Sequence, residues 1–247
     1  MKRIDRSRSH PVLAVAMPVL ALLALSGALG CASTQKPLVS TTLTQAEQQS
    51  LAPQDVVKLL KEGNQRFASG EATGRDSLAQ VKATAAGQYP MAVVLSCLDS
   101  RIPVELVFDR GIGDLFVARV AGNFENTDIL GSMEFATKLA GAKLIVVLGH
   151  TNCGAVKGAC DGAQMGNLTS TLANIAPAVE ASSSVEGERN SKNKTFVAAV
   201  THANVRQTMA DILAKSAVMK ELVDAGQLAV VGGIYNLETG AVDWLTN

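Results

Sequence analysis

Short apolar runs rich in β-branched residues recur along this chain, and stretches with helical spacing separate them. The strongest run is Lys143 to Leu148, and Met91 to Ser96 is a second. Such short runs are typical of strands that are buried on both faces of a sheet. Further strand patterns cover residues 114–119, 228–234 and 241–245, the last of them a short edge strand. Strands that alternate with helices predict an α/β fold with a mainly parallel central sheet flanked by helices.

Helical spacing is clearest at the two ends of this pattern. Pro53 to Ser69 carries apolar residues near helical spacing, with a proline in the first turn. We expect this segment to form an N-terminal helical arm. Thr195 to Lys215 and Ser216 to Asp224 predict two further helices, and residues 181–194 predict a polar loop before them.

The first thirty residues predict a signal peptide. A basic head that ends at Arg8 precedes a run without charge from Pro11 to Gly30. This order is typical of a secretory signal, and a retained membrane span is the alternative, because a helix of about 20 residues crosses a bilayer. We therefore expect an exported protein of the periplasm or cell envelope.

Cys31 stands at the end of this segment. The sequence Ala28-Leu29-Gly30-Cys31 resembles a bacterial lipobox, in which the cysteine is lipidated. It predicts a lipoprotein with a membrane tether through Cys31, and ordinary cleavage near Gly30 or Ala32 is the alternative. Residues 31–50 are rich in Ser, Thr and Gln and predict a flexible tether, which leaves 51–247 as the folded domain.

Charge and cysteine content exclude some classes of function. The chain has 22 basic and 22 acidic residues, which argues against a protein that binds nucleic acid by general electrostatic attraction. Four cysteines in 247 residues are too few for a disulfide scaffold. The cysteines and histidines are better considered as metal ligands or catalytic groups.

Two polar segments directly follow the two strongest strand patterns. One runs from Cys97 to Arg101 and the other from His150 to Cys153. In an open parallel sheet, ligands bind outside the carboxyl ends of the strands, so Cys97, His150 and Cys153 can converge. Two thiolates and one imidazole suit zinc, and three protein ligands leave one tetrahedral position open, as in catalytic sites.

Asp99 and Arg101 are expected to act beside this metal. Arg101 can hold the Asp99 carboxylate through a bidentate, charge-assisted hydrogen bond. Asp99 would then accept a hydrogen bond from a zinc-bound hydroxide and orient it. The alternative is a closed state in which Asp99 is the fourth ligand and blocks the metal.

Each of these motifs alone also has a structural explanation. A cysteine after an apolar strand is usually a small core residue, and Cys97 with Cys153 could instead form a redox pair. We expect Cys160 to be structural, and His202 to be a surface histidine rather than a proton shuttle.

Taken together, the motifs resemble those of the β-class carbonic anhydrases. That family carries Cys-x-Asp-x-Arg and, farther along, His-x-x-Cys, which match Cys97 to Arg101 and His150 to Cys153. The resemblance covers roughly residues 51–245. It includes GDLFVARVAGN, VVLGHTNCGAV, NVRQTMADIL and GGIYNLETGAV. Leu98 departs from the serine that is common in the family.

The resemblance implies reversible, zinc-dependent hydration of carbon dioxide to bicarbonate and a proton, by attack of a zinc-bound hydroxide. Cys97, His150 and Cys153 would hold Zn²⁺, and Asp99 with Arg101 would form the catalytic dyad. Some members have a bicarbonate-regulated closed state with a tryptophan three residues before the first cysteine. Val94 stands there in this chain, so we expect an open site.

The resemblance also implies three substrate-binding residues and an oligomer. Gln88 would bind substrate across a dimer interface, Phe116 would form an apolar wall, and Gly154 would offer its backbone N–H to bicarbonate. The family is built on dimers, which predicts a homodimer or a dimer of dimers. Two other functions remain open: hydrolysis of carbon disulfide or carbonyl sulfide on the same scaffold, and a non-catalytic zinc-binding lipoprotein.

Overall fold

A computed structural model describes residues 38–245, and a five-stranded sheet forms their centre. The strands in chain order are β1 Ala92–Ser96, β2 Leu115–Arg119, β3 Leu144–His150, β4 Ala229–Tyr235 and β5 Val242–Trp244. Their spatial order is β2-β1-β3-β4-β5, and β5 alone runs antiparallel to its neighbour in this sheet. This confirms the predicted α/β class, with its mainly parallel sheet and short edge strand.

The central strands are buried on both faces, as their unbroken apolar runs predict. Every residue of β1 and β3 is buried. Val94 and Val146 face one apolar core, whereas Val93 and Val147 face another on the opposite side of the sheet. Helices cover both cores, so the carboxyl ends of β1 and β3 emerge at one edge of a rigid layer.

The described residues also form ten α-helices. These are α1 Gln45–Ser50, α2 Pro53–Ala68, α3 Ser77–Thr84, α4 Val104–Val107, α5 Thr127–Glu134, α6 Gly154–Cys160, α7 Gly166–Ala173, α8 Ala176–Ala181, α9 Lys194–Lys215 and α10 Ala217–Asp224. A π-helical segment, Phe135–Leu139, continues α5. The helices predicted near Pro53, Thr195 and Ser216 are confirmed as α2, α9 and α10.

The predicted signal peptide (1–30), Cys31 and the tether as far as residue 37 lie outside the described residues. The last part of the predicted tether differs from expectation, because residues 45–50 form α1. Thr44 and Glu47 make a capping box at its start, and the buried Gln48 side chain donates to the carbonyls of Pro90 and Ala140, at 2.8 and 2.9 Å. The prediction of a flexible tether is therefore wrong for α1, and the folded unit begins before residue 51.

The expected arm helix, α2, packs on its own chain along one face. Val56 and Leu60 are fully buried in the core. The Asn64 side chain donates to the carbonyls of Val107 and Gly240, at 3.1 and 2.9 Å, and accepts from the Val242 N–H at 2.8 Å. No helix in the span 38–245 is both long enough and apolar enough to cross a membrane.

A buried ion cluster ties α2 to the loop that follows α4. The Asp109 carboxylate, which is fully buried, accepts from Arg66 Nε at 2.6 Å, from Arg75 Nη1, and from the backbone N–H and hydroxyl of Thr73. Burial acts to raise the pKa of Asp109, but these hydrogen bonds outweigh it and lower the pKa to about 2.

Candidate metal centre

Two adjacent parallel strands deliver the predicted ligands to one edge of the sheet. In their register Ser96 pairs with Leu148, so Cys97, the residue after β1, lies near His150, the last residue of β3. Cys153 follows after a short turn and precedes α6. The topology therefore accounts for the convergence of residues that lie far apart in the sequence.

The three side chains form a compact, buried cluster. Cys97, His150 and Cys153 are each at most 4% exposed, and their ligand atoms lie within 4.8 Å of one another. The two sulfur atoms are 4.0 Å apart, and both cysteines are free. Two sulfurs bound at roughly 2.3 Å to one tetrahedral ion lie about 3.8 Å apart, so the spacing fits zinc.

The hydrogen bonding of His150 leaves one ring nitrogen free to bind a metal. Its Nδ1 lies 2.9 Å from the Thr151 carbonyl, which places the proton on Nδ1 and the lone pair on Nε2. Nε2 is buried, and no hydrogen-bond partner for it exists among the described residues. A buried nitrogen without a partner is costly, and a metal ion would satisfy it. The donor set therefore fits Zn²⁺.

The contact between the two sulfurs affects the cysteines in opposite directions. It is the main cause of a lowered pKa for the Cys97 thiol, although burial opposes that shift. The Gly122 N–H lowers the pKa of Cys97 further. The pKa of Cys153 is raised by the same contact and by burial. Negative charge therefore resides first on Cys97, and thiolate is the form that binds zinc.

Arg119, at the end of β2, fixes the backbone that carries Cys97. Its Nε donates to the Cys97 carbonyl at 2.9 Å, and its Nη2 donates to the Asp99 carbonyl. The Gly122 N–H lies 3.4 Å from the Cys97 sulfur, and Asn204 of α9 donates to the Gly122 carbonyl at 2.8 Å. Sequence reasoning missed this support. The one indication in the sequence was that Arg119 ends a predicted strand, at the edge of the sheet where ligands bind.

Gly122 holds a conformation that favours glycine. Its φ is +87°, and an added Cβ would lie 2.5 Å from Ile175 Cδ1. Both the backbone conformation and the close packing therefore require glycine beside the Cys97 sulfur.

Asp99 and Arg101 form the ion pair that the spacing predicts. Arg101 Nε donates to Asp99 Oδ1 at 2.9 Å, Nη2 donates to Oδ2 at 2.7 Å, and the Arg101 N–H donates to Oδ1 at 3.0 Å. These bonds lower the pKa of Asp99 despite partial burial. Asp99 Oδ2 also lies 3.9 Å from His150 Nε2. The carboxylate thus borders the ligand cluster while it is paired to Arg101.

An apolar cavity of about 230 Å³ adjoins the cluster. Cys97, Asp99 and Gly154 contribute to its walls, and the other lining residues are mainly apolar: Leu98, Ala121, Ala155, Gly158, Leu168 and Leu172. Sequence reasoning missed the leucines of α7, because nothing in their local pattern connects them with β1 or β3.

The other two predicted substrate residues lie apart from this cavity. Phe116 packs against Phe135, with ring centroids 6.3 Å apart, and lines a separate groove along β2. Gln88 lies in the loop before β1 and lines another cavity. Because Gln88 is expected to act on a partner subunit, a single chain does not test that prediction. Cys160 is buried, which fits a structural role, and His202 is exposed.

Comparisons with known proteins agree with this geometry. The family model described as carbonic anhydrase matches residues 92–242. The chain is 38% identical over 189 residues to "Carbonic anhydrase 2" of Mycobacterium tuberculosis, covering 74% of this chain and 88% of the relative. It is 34% identical over 187 residues to a carbonic anhydrase of Mycolicibacterium smegmatis, covering 75% and 90%.

Solved structures show the same fold. A Coccomyxa β-carbonic anhydrase in complex with acetazolamide matches with a TM-score of 0.62 at 21% identity, covering 78% of this chain and 86% of that one. A tetrameric β-carbonic anhydrase from Sordaria macrospora matches with a TM-score of 0.61 at 24% identity, covering 78% and 98%.

Proposed function

We propose, from the premise that this chain belongs to the β-class carbonic anhydrase family, that it catalyses the reversible hydration of carbon dioxide to bicarbonate and a proton. The observation that carries the proposal is the buried set of Cys97, His150 and Cys153, bordered by Asp99 and open to an apolar cavity. This arrangement supplies a metal site, an oriented carboxylate and a place for an uncharged substrate.

The protein groups divide the work around the metal. Bound zinc supplies a Lewis acid that lowers the pKa of a coordinated water. Asp99 is ionised at neutral pH, and Arg101, which donates to both of its oxygens, lowers its pKa further. An ionised carboxylate can only accept hydrogen bonds, so Asp99 would orient the attacking oxygen by accepting a hydrogen bond from it. The two hydrogen bonds from Arg101 also fix the orientation of the Asp99 carboxylate.

The cavity favours carbon dioxide as the substrate. Leu98, Leu168 and Leu172 give it an apolar wall, which suits a small molecule without net charge. The bicarbonate product is charged and gains little from this wall, which favours its release. Gly154 lies at the boundary between the cavity and the ligands, where its N–H would face a product oxygen.

Stopped-flow measurement of carbon dioxide hydration, together with metal analysis, tests this proposal. The zinc-loaded wild type should accelerate hydration, and Cys153→Ala should lose both zinc and activity. Cys160→Ala is the matched control, because Cys160 is also a buried free cysteine but lies outside the ligand cluster. If the wild type is fully loaded with zinc but does not hydrate carbon dioxide, the alternative of a non-catalytic zinc-binding protein is favoured.

We also propose a homodimer or a dimer of dimers. Large apolar side chains are exposed on the surface of the described residues, among them Leu98 and Leu106, each about 60% exposed, and Ile112. Such side chains favour burial against a second copy, and the Gln88 prediction requires one. Sedimentation velocity should give a mass of two or four chains, and a monomer would refute this proposal.

Export and lipidation at Cys31 remain proposals that rest on the basic head, the apolar run and the cysteine at its end. Cell fractionation should place the protein in the envelope. Cys31→Ser should release it from the membrane fraction if Cys31 is lipidated, whereas an unchanged distribution would indicate ordinary cleavage or a retained span.

A further inference from the structure

A second cavity, of about 460 Å³, lies beside the turn that joins two of the metal ligands. It borders Thr151 and Asn152, which connect His150 to Cys153, but the metal ligands do not line it. Its walls come from α6, the loop before α9, the first turns of α9, and β4. The lining residues include Lys157, Ser191, Lys192, Lys194, Val197 and Ile234.

The rim of this cavity is positively charged. Lys157, Lys192 and Lys194 line it, and Glu238 is the one acid among the lining residues. Lys192 and Lys194 are exposed, so their ammonium groups are available to a ligand. Asp161 lies close by and accepts from the Ser191 N–H at 2.8 Å, which uses one carboxylate oxygen on the backbone. The lysines therefore outnumber the acids, and the rim favours an anion.

Lys157 is already oriented within this rim. Its Nζ donates to the Asn152 side-chain oxygen at 2.6 Å, and Asn152 has a left-handed backbone with φ of +59°. An ammonium group has three donors, so two remain for a ligand. This contact also links the rim of the cavity to the turn between two metal ligands.

The floor of the cavity is apolar. Val197 and Ile234 are buried in the fold and still line it, together with Ala198 of α9. A small inorganic anion would use the lysines alone and leave this floor uncovered. A volume near 460 Å³ is in the range of small-molecule sites, roughly 300–1,000 Å³.

We propose that this cavity binds a small organic anion, with a phosphate or carboxylate head on Lys157, Lys192 and Lys194 and an apolar body against Val197 and Ile234. The chemistry differs from that of the cavity beside Cys97, which has an apolar wall and suits a neutral molecule. The proposed ligand is therefore not the substrate of the hydration reaction, and a binding measurement tests the site without any assay of activity.

Histidine NMR offers a direct readout, because the full chain has three histidines and His202 lines this cavity. The zinc-loaded protein, labelled with ¹³C-histidine, is titrated with phenyl phosphate, benzoate, inorganic phosphate and benzyl alcohol. At least one of the two aromatic anions should shift the His202 signals saturably. Whichever of phenyl phosphate and benzoate binds more tightly identifies the preferred head group. Inorganic phosphate should bind about tenfold more weakly, since it lacks the apolar body.

Charge removal at the rim provides the matched comparison. The double variant Lys192→Gln/Lys194→Gln should weaken aromatic-anion binding about tenfold or more, and because both lysines are exposed, the fold should persist. Lys82→Gln/Lys220→Gln removes the same charge from exposed sites outside the cavity and should leave binding unchanged.

Several outcomes would overturn the proposal. A lack of saturable shifts with both aromatic anions would show that the cavity is not such a site. Equal affinity for inorganic phosphate would show that the apolar floor does not contribute. Unchanged affinity in the Lys192→Gln/Lys194→Gln variant would show that the rim does not bind the head group.

Discussion

Two aspartates that lie ten residues apart in the sequence, Asp99 and Asp109, make similar ion pairs with arginine and serve different purposes. Both accept short hydrogen bonds from guanidinium groups, and both have a lowered pKa. Asp109 is fully buried and receives donors from α2 and from residues 73–75, whereas Asp99 is 16% exposed and is paired with Arg101, two residues away.

The difference lies in where the partners come from. The donors to Asp109 are distant in sequence and surround both oxygens, so the carboxylate holds segments of the fold together. The donors to Asp99 are local, and its Oδ2 still faces His150 Nε2 at 3.9 Å. A local partner orients a carboxylate and leaves one side of it available for chemistry. The exposed fraction of the carboxylate and the sequence separation of its partners thus distinguish a structural ion pair from a functional one.

Loss of the buried pair should have the largest effect on stability. Asp109→Ala removes a fully buried carboxylate and leaves Arg66 and Arg75, whose side chains are 37% and 19% exposed, without their partner. We expect a loss of about 3–5 kcal/mol in the free energy of unfolding, measured by urea denaturation. The corresponding Asp99→Ala change should cost less than about 1 kcal/mol, because that pair is partly exposed. Equal losses of unfolding free energy in the two variants would show that Asp109 stabilises the fold no more than Asp99 does.

Loss of the exposed pair should instead affect catalysis. Asp99→Asn keeps the size of the side chain but removes its charge and replaces one acceptor oxygen by a donor. We expect carbon dioxide hydration to fall about a hundredfold or more while the zinc content and the unfolding midpoint stay near wild type. Asp224→Asn, at a surface ion pair with Lys220, is the control and should keep full activity. Full activity in Asp99→Asn would show that the proposed role is wrong.

Acid titration should separate the two pairs further. The pKa of Asp109 in the folded protein is about 2, below its ordinary value of 3.8. The stability that Asp109 contributes is therefore fully present above about pH 4 and is lost as the pH falls towards 2. Unfolding is measured from pH 5 to pH 2. Over this range, the difference in the free energy of unfolding between wild type and Asp109→Asn should fall by on the order of 2 kcal/mol. Zinc release at low pH should affect wild type and Asp109→Asn alike. A constant difference in the free energy of unfolding would contradict the lowered pKa of Asp109.

A smaller effect is expected from the backbone support of the functional pair. Arg119→Gln removes donors to the Cys97 and Asp99 carbonyls, so the loop should hold Asp99 less well. We expect about a tenfold loss of hydration activity, less than for Asp99→Asn, with zinc retained. Arg189→Gln changes an exposed arginine that pairs with Glu180 and should have no effect. Loss of zinc in Arg119→Gln would instead indicate a role in holding Cys97.

The sequence predicts much of the sheet and the ligand cluster because both follow from local patterns joined by one topological rule. The apolar runs before Cys97 and His150 are buried strands, and parallel strands deliver their following residues to one edge. The strand bounds differ from prediction by one or two residues, as at β3, which continues through His150.

The parts that were missed depend on partners far away in the sequence. Gln48 holds α1 in place through carbonyls that lie 42 and 92 residues away, while the surrounding Ser, Thr and Gln are typical of a tether. The pattern Thr44-x-x-Glu47 was a local signal of its helix start. The Asp109 cluster had no such signal, because its donors come from separate segments. Gln88 stays a prediction about an assembled oligomer, and Phe116 stays a prediction about the substrate pocket, although it lies outside the cavity beside Cys97.

Zinc K-edge X-ray absorption of the metal-loaded protein reports the atoms bound to the ion and so tests the proposed ligand set. We expect two sulfur ligands at about 2.3 Å, one imidazole nitrogen at about 2.0–2.1 Å and one further light atom that the protein does not supply. The same spectrum should follow in Asp99→Asn, since we expect Asp99 to stay paired with Arg101 when zinc is bound. A shell of four protein ligands, or one without sulfur, would contradict it.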